Sequence, residues 1–78
     1  MSAITLERMR ADVARMLREA PEAIGLDDNL MDWGLDSLRL LDLITGWNKA
    51  GLDIDIMELG AEASLSGWWR IIKQHQER

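Results

Sequence analysis

Apolar residues recur at helical spacing in the first part of the chain. From Leu6 to Ala20 they return every three or four positions, with arginine and acidic side chains between them, and Pro21 follows. Because proline lacks an N–H and clashes with the preceding turn, it ends most helices that reach it. The pattern therefore predicts an amphipathic helix that begins near Leu6 and ends at Pro21.

A second helical pattern covers about residues 37–50, and Gly51 stands where a helix C-terminus favours glycine. At about 100° per residue, one broad face of this helix is apolar. That face carries Leu40, Leu43, Ile44 and Trp47. Leu38 falls well outside it and Leu41 lies at its edge. The spacing thus predicts a small exposed apolar patch formed by Leu38 and Leu41.

Two further helices are predicted near the end of the chain. Residues 56–59 can form a single turn, with Asp55 as a cap and Gly60 as a stop, after an extended loop. Ser64 is a plausible cap for the last helix. Core spacing in that helix is shown by Leu65, Trp68, Trp69 and Ile72. Large aromatic side chains such as these give a small domain the buried area it needs.

The connection over residues 22–35 is long for so small a domain, and such loops tend to be functional. Its predicted apolar anchors are Ile24, Leu26, Leu30, Met31 and Trp33. Its carboxylates do not fit a calcium loop, which needs oxygen ligands at alternate positions. Counting from Asp27 places Met31 at a ligand position, and counting from Asp28 places Leu30 at one. No metal site is predicted.

These elements predict an all-α fold, a small four-helix bundle with three longer helices, one short helix and a long loop between the first two. The 78 residues are enough for one domain, predicted over residues 1–78. No apolar run is long enough to span a membrane, and residues 1–5 lack the basic and apolar regions of a signal peptide. With no cysteine as well, the sequence predicts a soluble cytoplasmic monomer.

The net charge of −5 argues against binding to a nucleic-acid backbone. No base occurs between Arg18 and Arg39. That interval holds the acids Glu19, Glu22, Asp27, Asp28, Asp32 and Asp36, and the interval between Lys49 and Arg70 is acidic as well. The middle of the chain is therefore expected to present an acidic surface that could steer a basic partner.

The chain lacks the residues of common catalytic and metal sites. His75 is the only histidine and is assigned to a polar tail, and there is no cysteine. Neither a nucleophile paired with a base nor a zinc cluster can be assembled from this set. The sequence predicts no catalytic residue, no metal and no enzyme activity.

The stretch from Gly34 to Ser37 immediately precedes the second helix. Gly34 permits a turn that a β-carbon would penalise, Leu35 can anchor it, and either Asp36 or Ser37 can cap the helix. A helix N-terminus favours an anion, so a serine hydroxyl here is a suitable place for a phosphate ester. Taken alone, the residues leave open a plain helix cap in an unmodified adaptor.

The segment Gly34-Leu35-Asp36-Ser37-Leu38, with Asn29-Leu30 upstream, resembles the phosphopantetheine attachment motif of the acyl, peptidyl and aryl carrier proteins. The resemblance implies that Ser37 carries covalently attached 4′-phosphopantetheine, which a phosphopantetheinyl transferase moves from coenzyme A. It also implies which residues the transferase recognises, namely Gly34, Leu35, Asp36 and Leu38.

Three details resemble the aryl carriers of siderophore-type nonribosomal peptide synthesis: Arg39 after the Ser-Leu pair, the Gly-Trp-Asn-Lys stretch around Trp47, and the Asp-Ile-Asp and Trp-Trp segments. This likeness implies that a separate adenylation enzyme loads an aryl acid, of the salicylate or dihydroxybenzoate type, as a thioester, and that a condensation or cyclisation domain receives it. The implied partner face consists of Leu38, Arg39, Leu41, Ile56, Met57 and Gly60. A peptidyl or acyl carrier is the alternative within the family.

Overall fold

The computed structural model describes residues 4–76, and within them the fold is all-α with no strand. Its helices are α1 (Leu6–Leu17), α2 (Ser37–Lys49), α3 (Ile56–Gly60) and α4 (Leu65–Gln76), with a 3₁₀ turn at Pro21–Ala23. The predicted bundle of three longer helices and one short helix is confirmed. The ends of the predicted domain, and most of the segment considered for a signal peptide, lie outside the described residues.

Helix α1 ends three residues earlier than predicted. Thr5 caps its start by accepting the N–H of Arg8 at 3.0 Å, but the helix closes at Leu17, where Arg18 adopts the left-handed conformation with φ 60°. The expectation that the helix continues to Pro21 is wrong, because the left-handed Arg18 turns the chain so that the N–H groups of Arg18 and Glu19 bond back to the last carbonyls of the helix. Pro21 instead begins a 3₁₀ turn, where its fixed φ and missing N–H cost nothing.

The core lies between the four helices and is centred on an aromatic pair. Trp47 of α2 and Trp68 of α4 are both buried, with ring centroids 6.1 Å apart and planes at 74°, an edge-to-face arrangement. Trp69 is only partly buried and packs on the outside of the core. The predicted placement of these tryptophans in or near the core is confirmed, and α2 is thereby fixed against α4.

A polar contact also joins α2 to α1. The indole Nε1 of Trp47 donates to Oδ2 of Asp12 at 2.9 Å. Asp12 is flanked on its own helix by Arg15, 3.0 Å away, and by Arg8, 3.6 Å away. Because the indole N–H and the largely buried carboxylate satisfy each other, the central tryptophan can be buried without an unpaired donor.

The loop between α1 and α2 is held at its start by one side chain. The guanidinium of Arg10 donates to the carbonyls of Pro21 and Ile24, both at 2.7 Å. Ile24 is fully buried beneath this contact. Two charge-assisted hydrogen bonds to backbone oxygens thus fix a segment that has little regular structure of its own.

The second half of the loop is fastened to the start of α4. The N–H of Leu30 donates to Ala63 at 2.8 Å, and that of Ser66 donates to Leu26 at 2.9 Å. Leu30 is fully buried, as predicted, whereas Leu26 and Met31 are 38% and 40% exposed and are not anchors. The predicted anchoring by these two side chains is wrong, because the loop is held by backbone hydrogen bonds of Leu26 and Leu30 and by the buried side chain of Leu30.

Side-chain caps fix where α3 and α4 begin. The carboxylate of Asp55 and that of Glu58 form a reciprocal capping box at the start of α3. Ser64 accepts the N–H of Gly67 at 3.1 Å, which confirms it as the predicted cap of α4. Upstream of α3, the side-chain amide of Asn48 both donates to and accepts from the backbone of Ile54. The extended loop before α3 is therefore fixed to α2.

Candidate functional site

The turn before α2 reverses the chain through a glycine and a buried leucine. Gly34 has φ 101°, and its N–H donates to Met31 at 3.1 Å. The N–H of Leu35 reaches back to Leu30 at 3.2 Å, and its side chain is only 3% exposed. The predicted permissive glycine and anchoring leucine are both confirmed, and together they fix where α2 begins.

The positive φ of Gly34 leads to a stability prediction. A β-carbon built there meets no atom within 4 Å, so Gly34→Ala introduces only conformational strain, expected to destabilise the fold by about 1–3 kcal/mol. Gly46 lies inside α2 and is equally open, so Gly46→Ala should stabilise by about 0.5–1 kcal/mol. Urea unfolding of both variants, followed by circular dichroism, measures the difference. Equal free energies would contradict the assigned turn.

Asp36, and not Ser37, caps α2. Its Oδ1 accepts the N–H of Arg39 at 2.9 Å, and its carbonyl accepts the N–H of Leu40. The sequence left both residues as candidates for the cap. The structure makes Ser37 the first residue of the helix proper, so the explanation that Ser37 is present only as a cap is wrong.

Ser37 presents a hydroxyl group at the positive end of α2. The residue is exposed, and within residues 4–76 its side chain makes no hydrogen bond. In the first turn of a helix the N–H groups have no intrahelical acceptor, and those of Ser37 and Leu38 are not engaged by the cap. The hydroxyl lies beside these N–H groups, at the positive end of the dipole of a 13-residue helix. Both favour the negative charge of a phosphate ester at this position.

Arg39 is the cation nearest to this serine in sequence, and it folds back over the turn. Its Nη1 donates to the carbonyl of Gly34 at 3.3 Å. The side chain remains exposed, as expected for a residue of the predicted partner face. Its guanidinium therefore lies over the turn that presents Ser37, where a positive charge partly offsets the acidic side chains nearby.

Exposed apolar side chains lie on α2 and α3, which pack against each other. Leu38 is 75% exposed, Leu41 48% and Met57 77%. The predicted exposure of Leu38 and Leu41 is confirmed. Ile56 is half-buried against the core, while Gly60 is exposed at the end of α3. Large apolar side chains that stay in water on neighbouring helices are typical of a surface that contacts other proteins.

Sequence reasoning missed the contact between His75 and Glu58. His75 was assigned to a polar tail, but α4 extends through it, and its side chain is only 13% exposed. Its Nε2 lies 3.0 Å from Oε1 of Glu58. Helical spacing could have indicated this burial, because His75 lies three positions after the buried Ile72 and so continues the inward face of α4.

A surface groove of about 450 Å³ separates α1 from α2, but it does not include Ser37. It is lined by Arg8, Asp12, Arg15, Met16, Asp42, Leu43, Gly46 and Trp47.

Across residues 4–76, histidine and acidic side chains nowhere gather in a group able to hold a metal ion. None of the described helices is long and apolar enough to cross a membrane. Ser37 itself is exposed at the start of α2.

Comparison with known proteins gives one family and several relatives. The family described as "Phosphopantetheine attachment site" matches residues 7–68, which include Ser37. Acyl carrier protein ScoB of Streptomyces coeruleorubidus is 37% identical over 73 residues, covering 94% of this chain and 86% of that protein. Enterobactin synthase component B of Escherichia coli K12 is 35% identical over 66 residues, 85% of this chain.

A third relative is phenyloxazoline synthase MbtB of Mycobacterium tuberculosis, 32% identical over 66 residues. The chain spans 86% of the acyl carrier protein but only 23% of the enterobactin synthase component and 5% of the phenyloxazoline synthase. No solved structure gives a significant match. The likeness therefore extends over nearly the whole of this chain and over one section of the two synthases.

Proposed function

The chain belongs to the phosphopantetheine attachment-site family of carrier domains, and from this premise we propose that Ser37 is the residue that bears the cofactor. The observation that carries the proposal is the exposed Ser37 hydroxyl at the start of α2. Asp36 caps that helix, so the hydroxyl is not used as a cap. The residues around it fit the covalently attached 4′-phosphopantetheine of the family. When bound, this group supplies a thiol on a flexible arm, which can hold an acyl group as a thioester.

The domain's own residues position the serine and leave the chemistry to a partner enzyme. Gly34 and the buried Leu35 fix the turn, and the first-turn N–H groups favour the phosphodiester. On this proposal the phosphopantetheinyl transferase supplies the general base that takes the hydroxyl proton. On this proposal the protein is a non-catalytic carrier, active as a monomeric cytoplasmic domain over residues 1–78.

Recognition by the transferase is proposed to use the exposed part of the motif. Gly34, Asp36 and Leu38 are accessible, whereas Leu35 lies in the core and contributes by holding the turn. Acidic side chains near the serine include Asp32 and Asp36, which would steer a basic enzyme surface toward it.

For the cargo we propose an aryl acid of the salicylate or dihydroxybenzoate type, delivered by a separate adenylation enzyme. The resemblance of the segments around Arg39 and Trp47, and of Trp68-Trp69, to aryl carriers supports this choice. One relative is named phenyloxazoline synthase, and the phenyl group in that name is an aryl ring. The similarity to an acyl carrier protein supports the second candidate, an acyl or peptidyl carrier.

A loading panel decides between these cargoes. The domain is first treated with coenzyme A, magnesium and a broad-specificity phosphopantetheinyl transferase, and then offered to enzymes that activate salicylate, 2,3-dihydroxybenzoate or amino acids, and to acyl donors. Intact mass spectrometry reports each thioester. Loading by the aryl-acid enzymes alone is the expected result. Preferential loading by an amino-acid enzyme or an acyl donor would move the assignment to a peptidyl or acyl carrier.

The receiving partner is proposed to be a condensation or cyclisation domain of a nonribosomal peptide synthetase. Its contact face would consist of Leu38, Arg39, Leu41, Ile56, Met57 and Gly60. Carriers visit several enzymes in turn, so this interface should be small and weak, with a few apolar anchors. The exposed Leu41 and Met57 suit that role, while the half-buried Ile56 packs against the core and offers a partner only the exposed part of its side chain.

Leu41→Asp tests this face. Because Leu41 is 48% exposed, the substitution should leave the fold intact and spare pantetheinylation, while transfer of the loaded acid to the condensation partner slows at least about tenfold, the effect of losing one apolar anchor. Gln74→Asp, at an exposed position of α4, adds the same charge elsewhere and is the matched control. Rates are measured by thioester loss in mass spectra. Equal losses at both the transferase and the transfer step would show that the face is misassigned.

A further inference from the structure

Helix α3 is too short to be stable by itself. It contains five residues, and one turn of helix costs more conformational entropy than its hydrogen bonds return. Its conformation must therefore come from its caps and from the helices around it. Because Met57, the most exposed apolar residue of the proposed partner face, lies in this single turn, whatever holds α3 also sets the position of Met57.

The side chain of Glu58 has two roles at the start of α3. Its Oε2 accepts the N–H of Asp55 at 3.1 Å and completes the capping box, in which Asp55 in turn accepts the N–H of Met57 at 3.0 Å. Its Oε1 lies 3.0 Å from Nε2 of His75. With the proton on Nε2, the ring N–H of His75 donates to this oxygen of Glu58. The same carboxylate thus joins the cap of α3 to the far end of α4.

Helix α4 holds α3 at a second point. The indole N–H of Trp68 donates to the carbonyl of Leu59 at 2.8 Å in the buried core. That contact fixes the end of α3, whereas His75 fixes its beginning. The side chain of His75 is only 13% exposed. It contacts Glu58 although the two residues are 17 positions apart in the sequence. A donor so placed limits the rotation of the Glu58 side chain, and so keeps the capping box closed.

Building on the proposed function, we propose that His75 is a positioning residue for docking: through Glu58 it holds the first turn of α3 in the conformation that presents Met57 to a partner enzyme. A preformed surface binds more tightly because no segment has to be ordered at the moment of association. Loss of His75 should weaken docking on α3 while leaving the chemistry of a bound carrier unchanged.

The first measurement is solvent exchange of backbone amides by NMR in unmodified protein. In His75→Ala, the amides of Asp55 and Met57 should exchange about tenfold faster, which is the factor expected from one charge-assisted hydrogen bond. The amide of Arg39, bonded to the cap of α2, serves as an internal reference and should not change. Unchanged exchange at Asp55 and Met57 would overturn the proposal.

Two further variants separate positioning from general stability. His75→Gln keeps a side-chain N–H that can donate to Glu58, so it should restore most of the slow exchange. Gln74→Ala removes an exposed neighbour of similar size on the same helix and should change nothing. An effect of Gln74→Ala equal to that of His75→Ala, or no rescue by glutamine, would show that α4 is merely being weakened.

The second measurement is the KM of the loaded carrier for the condensation or cyclisation partner, which is the proposed occupant of the face that includes Met57. His75→Ala should raise this KM about three- to tenfold with kcat unchanged, and His75→Gln should return it toward the value of the unsubstituted protein. An unchanged KM in a carrier that is loaded normally would overturn the positioning role alone. If Ser37 accepts no phosphopantetheine and no enzyme loads the protein, the proposed function fails, and the docking role fails with it.

Discussion

Replacing Ser37 by alanine is expected to abolish the mass gain of one phosphopantetheinyl group when the protein is incubated with coenzyme A, magnesium and a broad-specificity phosphopantetheinyl transferase. On the proposed function, the hydroxyl oxygen of Ser37 attacks the phosphorus of coenzyme A that bears the pantetheine arm, the pyrophosphate bond breaks, adenosine 3′,5′-bisphosphate leaves, and the transferase takes the hydroxyl proton. Alanine has no atom that can form the new bond. Intact mass spectrometry of the substituted and unsubstituted proteins gives the answer directly.

The same substitution should hardly alter stability. Ser37 is exposed, and Asp36 supplies the cap of α2, so we expect Ser37→Ala to change the free energy of unfolding by less than about 0.5 kcal/mol. An unmodified adaptor with the same Asp36 cap would show the same small change in stability, but no mass gain even in the unsubstituted protein. The mass measurement therefore separates the two explanations.

Ser66→Ala is the matched control for this experiment. Ser66 also lies in the first turn of a helix, but its hydroxyl donates to Asp27 at 2.6 Å and is not available in the same way. The Ser66→Ala protein should accept phosphopantetheine as the unsubstituted protein does. A full mass gain in Ser37→Ala, or loss of the mass gain in Ser66→Ala, would show that Ser37 is not the attachment residue.

The largest stability effect is expected for Trp68→Ala. Trp68 is fully buried, stacks edge-to-face on Trp47 and donates to Leu59. Removing so large a core side chain typically costs about 3–5 kcal/mol, and a small domain has only about 5–15 kcal/mol in total. We expect the Trp68→Ala protein to be largely unfolded at 37 °C, as measured by circular dichroism during urea and thermal unfolding.

Its sequence neighbour provides the control. Trp69 is only partly buried, so Trp69→Ala should cost about 1 kcal/mol and leave a cooperative transition. Trp68→Phe keeps an aromatic ring but removes the N–H, and it should cost about 1–3 kcal/mol because the Leu59 carbonyl loses its buried donor. Similar losses for the two alanine variants would contradict the assigned inward face of α4.

Much of the candidate site could be predicted from the sequence because it is local. The turn at Gly34, the anchoring of Leu35 and the start of α2 depend on residues within a few positions of one another. The exposure of Leu38 and Leu41 followed from helical geometry alone, since the angle around a helix is set by residue number. The motif itself is contiguous, so its resemblance to carrier proteins could be read directly.

Other features could not be predicted because they join distant parts of the chain. The contact between His75 and Glu58 spans 17 positions, and that between Trp47 and Asp12 spans 35. Periodicity shows that a side chain faces inward but does not identify the group it meets there. The exposure of Met31 is a similar case, because a backbone hydrogen bond from Leu30 to Ala63 holds that loop.

The sequence by itself determined that this protein is a small all-α domain with a serine at the head of its second helix, because amphipathic spacing and turn chemistry act between near neighbours. Only the tertiary structure decided that Asp36 caps that helix, leaving Ser37 free of that role, and that α3 is held from α4. Competing capping residues differ by little free energy locally, and a single helical turn has too little intrinsic stability to form by itself. Contacts made by the whole fold select one arrangement.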